Sequence, residues 1–385
     1  MTIEYNISRL YYLLDMYKMS MDELLALLNE GRKTPIVQED IEKEEIKVSL
    51  LKKIDKVFNK GISFYLDPRI PQKTTESSIF FRKEHFNSDL NLGSKMIVTH
   101  FEDFKNNFTA IAKLSEIQLL RKVPVFTVAQ RPKQVANEIR TILYPEFKTE
   151  KRDFLKSFIT QLGSADILVS EFVETWNKKD RANIDGFFLA PNVIVLKRQQ
   201  NALRREIFTL AHELGHYLLN EEEVESLDFS DMYGNSPNKI ENWCNEFAYY
   251  FLVGRYAETI NQLGTADASN DYHMEIIDEV SKKTHLSRLA LYTQLLLNRK
   301  ISYIDYQNIK KDFEEQFRLK EIELKKQREL DKLAGIDSNV RAAQPIKSPL
   351  LISTLQTAFY EGVINEYDFC KTLNILPDKL PKYLQ

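Results

Sequence analysis

Apolar residues recur at helical spacing through most of the chain and at strand-like spacing in only two places, which predicts a mostly helical α+β fold around a small sheet. From Ile7 to Leu28 the pattern is helical, and Ser20-Met21-Asp22-Glu23 is a capping box that opens a second, Leu-rich helix. A further helix is expected from Ile41 to Lys60, with Ile46, Leu50, Ile54 and Val57 on one side and Gly61 as its C′ residue. Pro, Thr and Ser between Asp67 and Ser78 mark a connection. Helix resumes from about His100 to Leu120 and again from Pro132, where Val135, Ile139 and Ile142 form the expected buried side. Ala165 to Val169 and Val193 to Leu196 are apolar runs read as strands, with Asp185-Gly186 between them as a tight-turn signal. Two helices follow, the second from Ile240 to Leu252, separated by a polar loop from about Asp228 to Lys239; a helical hairpin then runs through Leu297. Ile309 to Leu333 is dominated by Lys, Glu and Arg and reads as a solvated helix, and Pro349 to Leu384 as a small helical cap. The expected organisation is a helical unit over 1–66, a connecting region over 67–131, the α+β main domain over 132–304, a charged helical connector over 305–345 and the cap over 346–385.

At 385 residues the chain can build two or three cores. A net charge of −3 exerts no global pull on nucleic acid or anionic membrane. The apolar run Leu10 to Leu14 stops at Asp15, short of a signal-peptide core, and no later stretch is long enough to cross a bilayer, so the expected compartment is the cytoplasm. Two cysteines, Cys244 and Cys370, supply neither a disulfide framework nor a CxxC knuckle, which leaves His and carboxylates as metal ligands.

His212-Glu213-Leu214-Gly215-His216 places two His at i and i+4 on one helix face, where both reach one ion. With six His in the chain, a chance H-E-x-x-H is on the order of one in a hundred. Ile207, Leu210, Ala211, Leu214 and Leu218 make an apolar stripe roughly opposite the two His at about 100° per residue. Glu241, 25 residues after His216 on the next apolar helix, is the expected third ligand, since two His and one Glu form a standard catalytic zinc set. Glu221, Glu222, Glu223 and Glu225 follow the first helix too closely to return easily to the ion. Asn245 shares a face with Glu241 and is placed to orient His212. Glu213, about 100° around from His212, is the expected general base, taking a proton from a zinc-activated water. Tyr217, Tyr249, Tyr250 and His273 are unranked donors for the oxyanion. His85, His100 and His285 have no partner at ligand spacing and are assigned surface or helix-end roles. The donor set also admits manganese or iron.

With these residues in place, the stretch from about Pro132 to Leu297 resembles the ImmA/IrrE family of metallo-endopeptidases. The resemblance rests on Asp185-Gly186-Phe187-Phe188, on Arg205-Glu206-Ile207-Phe208-Thr209-Leu210-Ala211 running into the HELGH motif, and on Glu241-Asn242-Trp243-Cys244-Asn245-Glu246-Phe247-Ala248. It implies a zincin-like domain whose third ligand is Glu241. Cys244 stands where Ala is frequent and Gly254 where Pro commonly ends the helix. The N-terminal unit looks like the helix-turn-helix domain often fused to these peptidases, and Ser78-Ile79-Phe80-Phe81-Arg82 like part of the connecting region. Ten Lys and Arg against eleven Asp and Glu from Met1 to Tyr65, and the acidic tract Glu39 to Glu45, argue against DNA binding. That unit reads as a degenerate helix-turn-helix that docks a protein or mediates homodimerisation.

The function so implied is regulatory proteolysis, in stress response, mobile elements or phage defence, of a partner protein such as a helix-turn-helix repressor. The strand Val193 to Leu196 is expected to hold the substrate by β-augmentation. The competing reading is a transcriptional regulator or antitoxin-like protein whose zinc site is structural or inactive; a structural site needs no general base, so Glu213 separates the two.

Overall fold

The computed structural model describes residues 1–71, 78–82, 90–173, 181–198, 203–224, 239–333 and 344–384. The chain divides into two compact units, Met1–Phe104 with a short piece ending at Asn183, and the remainder from Lys105 to Gln385.

The first unit contains β1 (Thr2–Glu4), α1 (Ile7–Met16), α2 (Met21–Asn29), α3 (Gln38–Ile41), β2 (Glu45–Lys47), α4 (Val48–Phe58), α5 (Ile62–Leu66), α6 (Ile79–Arg82) and the start of α7 (Leu92–Leu114). The capping box forms as expected: Glu23 N–H donates to Ser20 Oγ at 3.2 Å and Ser20 N–H to the Glu23 carboxylate at 2.6 Å. The helix expected from Ile41 to Lys60 is broken. Glu45–Lys47 is extended and pairs antiparallel with β1 in the register Thr2↔Lys47, burying Ile46, and the helix restarts only at Val48. Glu42 to Glu45, between Ile41 and Ile46, offers no apolar residue to hold a continuous helix, so pairing with the chain's first strand prevails over helical spacing. Likewise α7 starts at Leu92, two turns before His100.

The second unit continues with α8 (Pro132–Leu143), α9 (Lys151–Ser164), β3 (Leu168–Phe172), β4 (Gly186–Leu189), β5 (Val193–Lys197), α10 (Leu203–Leu219), α11 (Lys239–Val253), α12 (Tyr256–Gln262), α13 (Met274–Thr284), α14 (Arg288–Leu297), α15 (Tyr303–Leu333), α16 (Pro349–Tyr360) and α17 (Glu366–Leu373). Its sheet has the order β3-β5-β4, with β3 parallel to β5 and β4 antiparallel to it. The central strand is therefore Val193–Lys197. Both of its hydrogen-bonding edges are taken, which overturns its assignment as the strand that receives substrate. Asp185-Gly186 is no tight turn, because Gly186 is the first residue of β4. On α8 the buried side is Val135, Ala136, Ile139 and Leu143, while Ile142 stays 46% exposed. His285 ends α13 as expected, yet it is buried, bonded to the Lys148 carbonyl at 2.7 Å and stacked on Phe147. His100 lies on the surface as expected; His85 falls outside the described residues.

One core joins α8, α9, α10, α11, α13 and α14 with the sheet. α10 and α11 pass so closely that a Cβ on Gly215 would stand 3.2 Å from the Cys244 backbone. The C-terminal helices join through α16 on α9 and through Glu171, whose carboxylate accepts the Ile346 N–H at 2.5 Å. Burial pushes the Glu171 carboxyl up to about 7, against the lowering effect of Arg198 and Arg152, and its other oxygen has no hydrogen-bond partner.

An acid held above its ordinary 4.5 in the fold costs stability as pH rises from about 4.5 to 7, because the native chain then holds a proton that the unfolded chain has released. Glu171→Gln keeps the acceptor for Ile346 without the charge. It is expected to leave the urea midpoint unchanged at pH 4.5 and to raise stability by about 1–3 kcal/mol at pH 8; parallel pH profiles for the two proteins would contradict the raised value.

Candidate metal centre

α10 carries the histidine pair. The sequence suggests one apolar stripe, but the structure buries every residue from Glu206 to Leu219. The helix is covered by β4, β5, α9 and α11. Its N-terminal turn is tied to the sheet by two ion pairs: Arg198, just after β5, meets Glu206, and Arg205 meets Asp185 beside β4 with an Nε to Oδ2 distance of 2.9 Å. Arg198 and Glu206 are each about 2% exposed, so breaking that pair would strand a buried charge at a cost of about 3–5 kcal/mol.

α11 brings Glu241 to the pair. His212 Nε2 and His216 Nε2 are 3.1 Å apart, and the Glu241 carboxylate oxygens lie 3.1 Å from the first and 3.0 Å from the second. All three residues are buried, and they form a group able to hold a metal ion among the described residues. Three ligands at about 2.0–2.1 Å in tetrahedral array stand about 3.3 Å apart. The N, N, O triangle need open by only a few tenths of an ångström to accept such an ion.

Electrostatics point the same way. Burial alone would raise the Glu241 carboxyl, but the two imidazoles hold it well below the usual carboxylate range; burial would lower His216, but Cys244 and Glu241 hold it well above its ordinary 6.5. The triangle thus calls for one positive charge, which either a proton or a divalent cation can supply, and only the cation satisfies all three lone pairs at once.

Asn245 stands where the sequence puts it. His212 Nδ1–H donates to Asn245 Oδ1 at 2.9 Å, which fixes the ring tautomer and turns the Nε2 lone pair toward the triangle. Glu213 is buried beside the triangle without joining it. The residue the sequence reading missed is Gly186. A Cβ there would stand 2.6 Å from Thr209 Cγ2 and 3.3 Å from Glu213 Cγ, so β4 lies directly against the Glu213 face of α10 only because the position is glycine. A glycine inside a strand was the available signal for such an approach.

Residues 164–259 match the family model described as the IrrE N-terminal-like domain, a peptidase family. This block is an IrrE N-terminal-like domain. It runs from the end of α9 into α12 and contains all of His212, Glu213, His216, Glu241 and Asn245, in agreement with the ImmA/IrrE resemblance. No curated protein and no solved structure matches the chain. Within the IrrE N-terminal-like domain, the two departures from the family pattern acquire local reasons. Cys244 packs on Gly215, and Gly254 ends α11 at φ 52°, a conformation closed to proline, with the Arg140 guanidinium against it. Glu222 is engaged with the Ala190 N–H at 2.8 Å, and Glu225 lies outside the described residues. Tyr217 is committed to structure, its ring covered by Arg121 at 4.0 Å and met edge-on by Phe188. Tyr249 extends the Glu241–Asn245 face by one turn with a buried hydroxyl that has no hydrogen-bond partner among the described residues, and His273 Nε2 is buried in the same condition.

Asn245→Ala removes the acceptor that sets His212. Competition with a chelator should show metal affinity reduced by about 10–100-fold with the thermal midpoint of the metal-free protein little changed; an unchanged affinity would assign Asn245 no part in the site.

Proposed function

We propose that the chain is a zinc-dependent endopeptidase that cuts a regulatory partner protein, such as a helix-turn-helix repressor, by direct attack of water. The observation that carries this reading is the buried triangle of His212, His216 and Glu241 with a second glutamate, Glu213, beside it and outside it. A structural metal site has no use for that fourth group; a hydrolytic one requires it.

His212, His216 and Glu241 would hold the ion, with Asn245 keeping His212 in the ligating tautomer. Bound there, zinc supplies Lewis acidity and brings the pKa of a water toward about 7. Glu213 accepts the proton of the attacking water and returns it to the departing amine, so one carboxyl serves as base and then as acid. Its burial beside β4 keeps bulk water from competing for that proton. β4 lies at the edge of the sheet and against the Glu213 face, so it replaces β5 as the strand along which an extended peptide would lie. Tyr249, Tyr250 and His273 remain unranked candidates for oxyanion donor. No described helix is long and apolar enough to cross a membrane, and the cytoplasm is the compartment we assign.

Elemental analysis of the purified chain is expected to give about one zinc, lost in His216→Ala and Glu241→Ala. Glu213→Gln should keep the metal and lower turnover of a peptide library, read as new N-termini by mass spectrometry, by about 10²–10⁴-fold. No metal in the wild type would remove the peptidase reading. Metal retained with no difference between wild type and Glu213→Gln would favour the regulator with a structural zinc site.

A further inference from the structure

Among the described residues, α15 is docked only at its start. Tyr306 and Ile309 are buried, and Phe313 meets the Tyr292 ring at 6.1 Å and the Arg288 guanidinium at 4.4 Å. From Glu314 onward the described side chains are exposed through Leu330, a helical arm about 30 Å long as far as Leu333 at 1.5 Å per residue. In proteins most helical stability comes from packing an apolar face rather than from propensity alone. The arm nonetheless presents Leu319 at 53% exposure and Ile322 at 37% on one face. At about 100° per residue Glu315, Leu319, Ile322 and Lys326 fall within about 60° of one another, at successive spacings of four, three and four. This is the a/d spacing of a coiled-coil seam.

The order of these four residues reads acidic, apolar, apolar, basic. Laid antiparallel on a copy of itself, it sets Glu315 opposite Lys326, Leu319 opposite Ile322, and the same pairs again by two-fold symmetry. Laid parallel, it sets like charge on like. We propose that the exposed part of α15 is a homodimerisation arm that pairs antiparallel with the arm of a second copy of this chain, in the register Glu315–Lys326 and Leu319–Ile322. Glu315 meets Arg318 of its own helix at 2.6 Å, an exposed pair worth little, so its engagement across the interface costs little. Four apolar side chains form the central contact, so the pairing is weak and concentration-dependent.

Sedimentation equilibrium of the full-length chain tests this. The wild type is expected to rise from 45.2 kDa toward twice that mass as concentration increases. Lys326→Glu and Glu315→Lys, each exchanging one good helix former for another, should each weaken association about tenfold or more by placing like charges opposite each other. An equimolar mixture of the two variants should associate again as a heterodimer, and the double variant Glu315→Lys/Lys326→Glu should do so as a homodimer. Far-UV circular dichroism confirms that each variant is folded. A wild type that stays at 45.2 kDa at every concentration overturns the proposal in favour of a solvated arm. A dimer indifferent to the single reversals overturns it by placing the interface elsewhere.

Discussion

Two imidazoles and a carboxylate brought within 3.1 Å of one another inside a helix pair form an arrangement that a protein core tolerates only if a positive charge sits among them. The surrounding structure serves that constraint. α10 and α11 must approach closely for Glu241 to reach the HELGH face, and the contact of Gly215 with Cys244 sets how close they come. The face of α11 that delivers Glu241 delivers Asn245 one turn later, so the residue that fixes His212 arrives by the same packing that completes the triangle. Affinity for a metal and stability of the helix pair are therefore one property measured in two ways.

A second constraint fixes where Glu213 stands relative to the two histidines. Glu213 is adjacent to His212 in sequence, so its position follows from the rotation of α10 about its own axis. That rotation is blocked by the two ion pairs at the start of the helix and by β4, which presses Gly186 against Thr209 and Glu213. A side chain at position 186 would meet Thr209 before anything else, so the helix would have to turn or the strand withdraw.

The parts of this site that the sequence discloses are those fixed by spacing within one helix. His212 with His216, and Glu241 with Asn245, are i, i+4 pairs whose common face follows from helix geometry alone. The helical majority with a small sheet is legible for the same reason, since periodicity is a local signal. Strand order is not local. Val193–Lys197 reads as a strand from its own residues, but its place between β3 and β4 depends on partners elsewhere in the chain, and with that place goes any role as a receptor for peptide. The burial of α10 on all sides escaped the stripe analysis because β4, β5 and α11 each cover a face that looks polar or small in isolation. The break before Val48 has the same origin: three residues of helical pattern were claimed by a strand more than forty positions earlier.

The matched block spans residues 164–259 of a 385-residue chain, and His212, Glu213, His216, Glu241 and β4 all lie inside it. An edge strand that holds an extended peptide does so mainly through backbone groups, which every sequence shares, and so contributes attachment more than choice. A protease built only from these parts would discriminate poorly among exposed segments. About three-quarters of the chain lies outside the matched block and includes the N-terminal unit, the arm of α15 and the C-terminal helices held to the core through Glu171. Everything that fixes the buried group therefore lies within one helix pair and the strand against it, so the segments outside the block can vary without disturbing it.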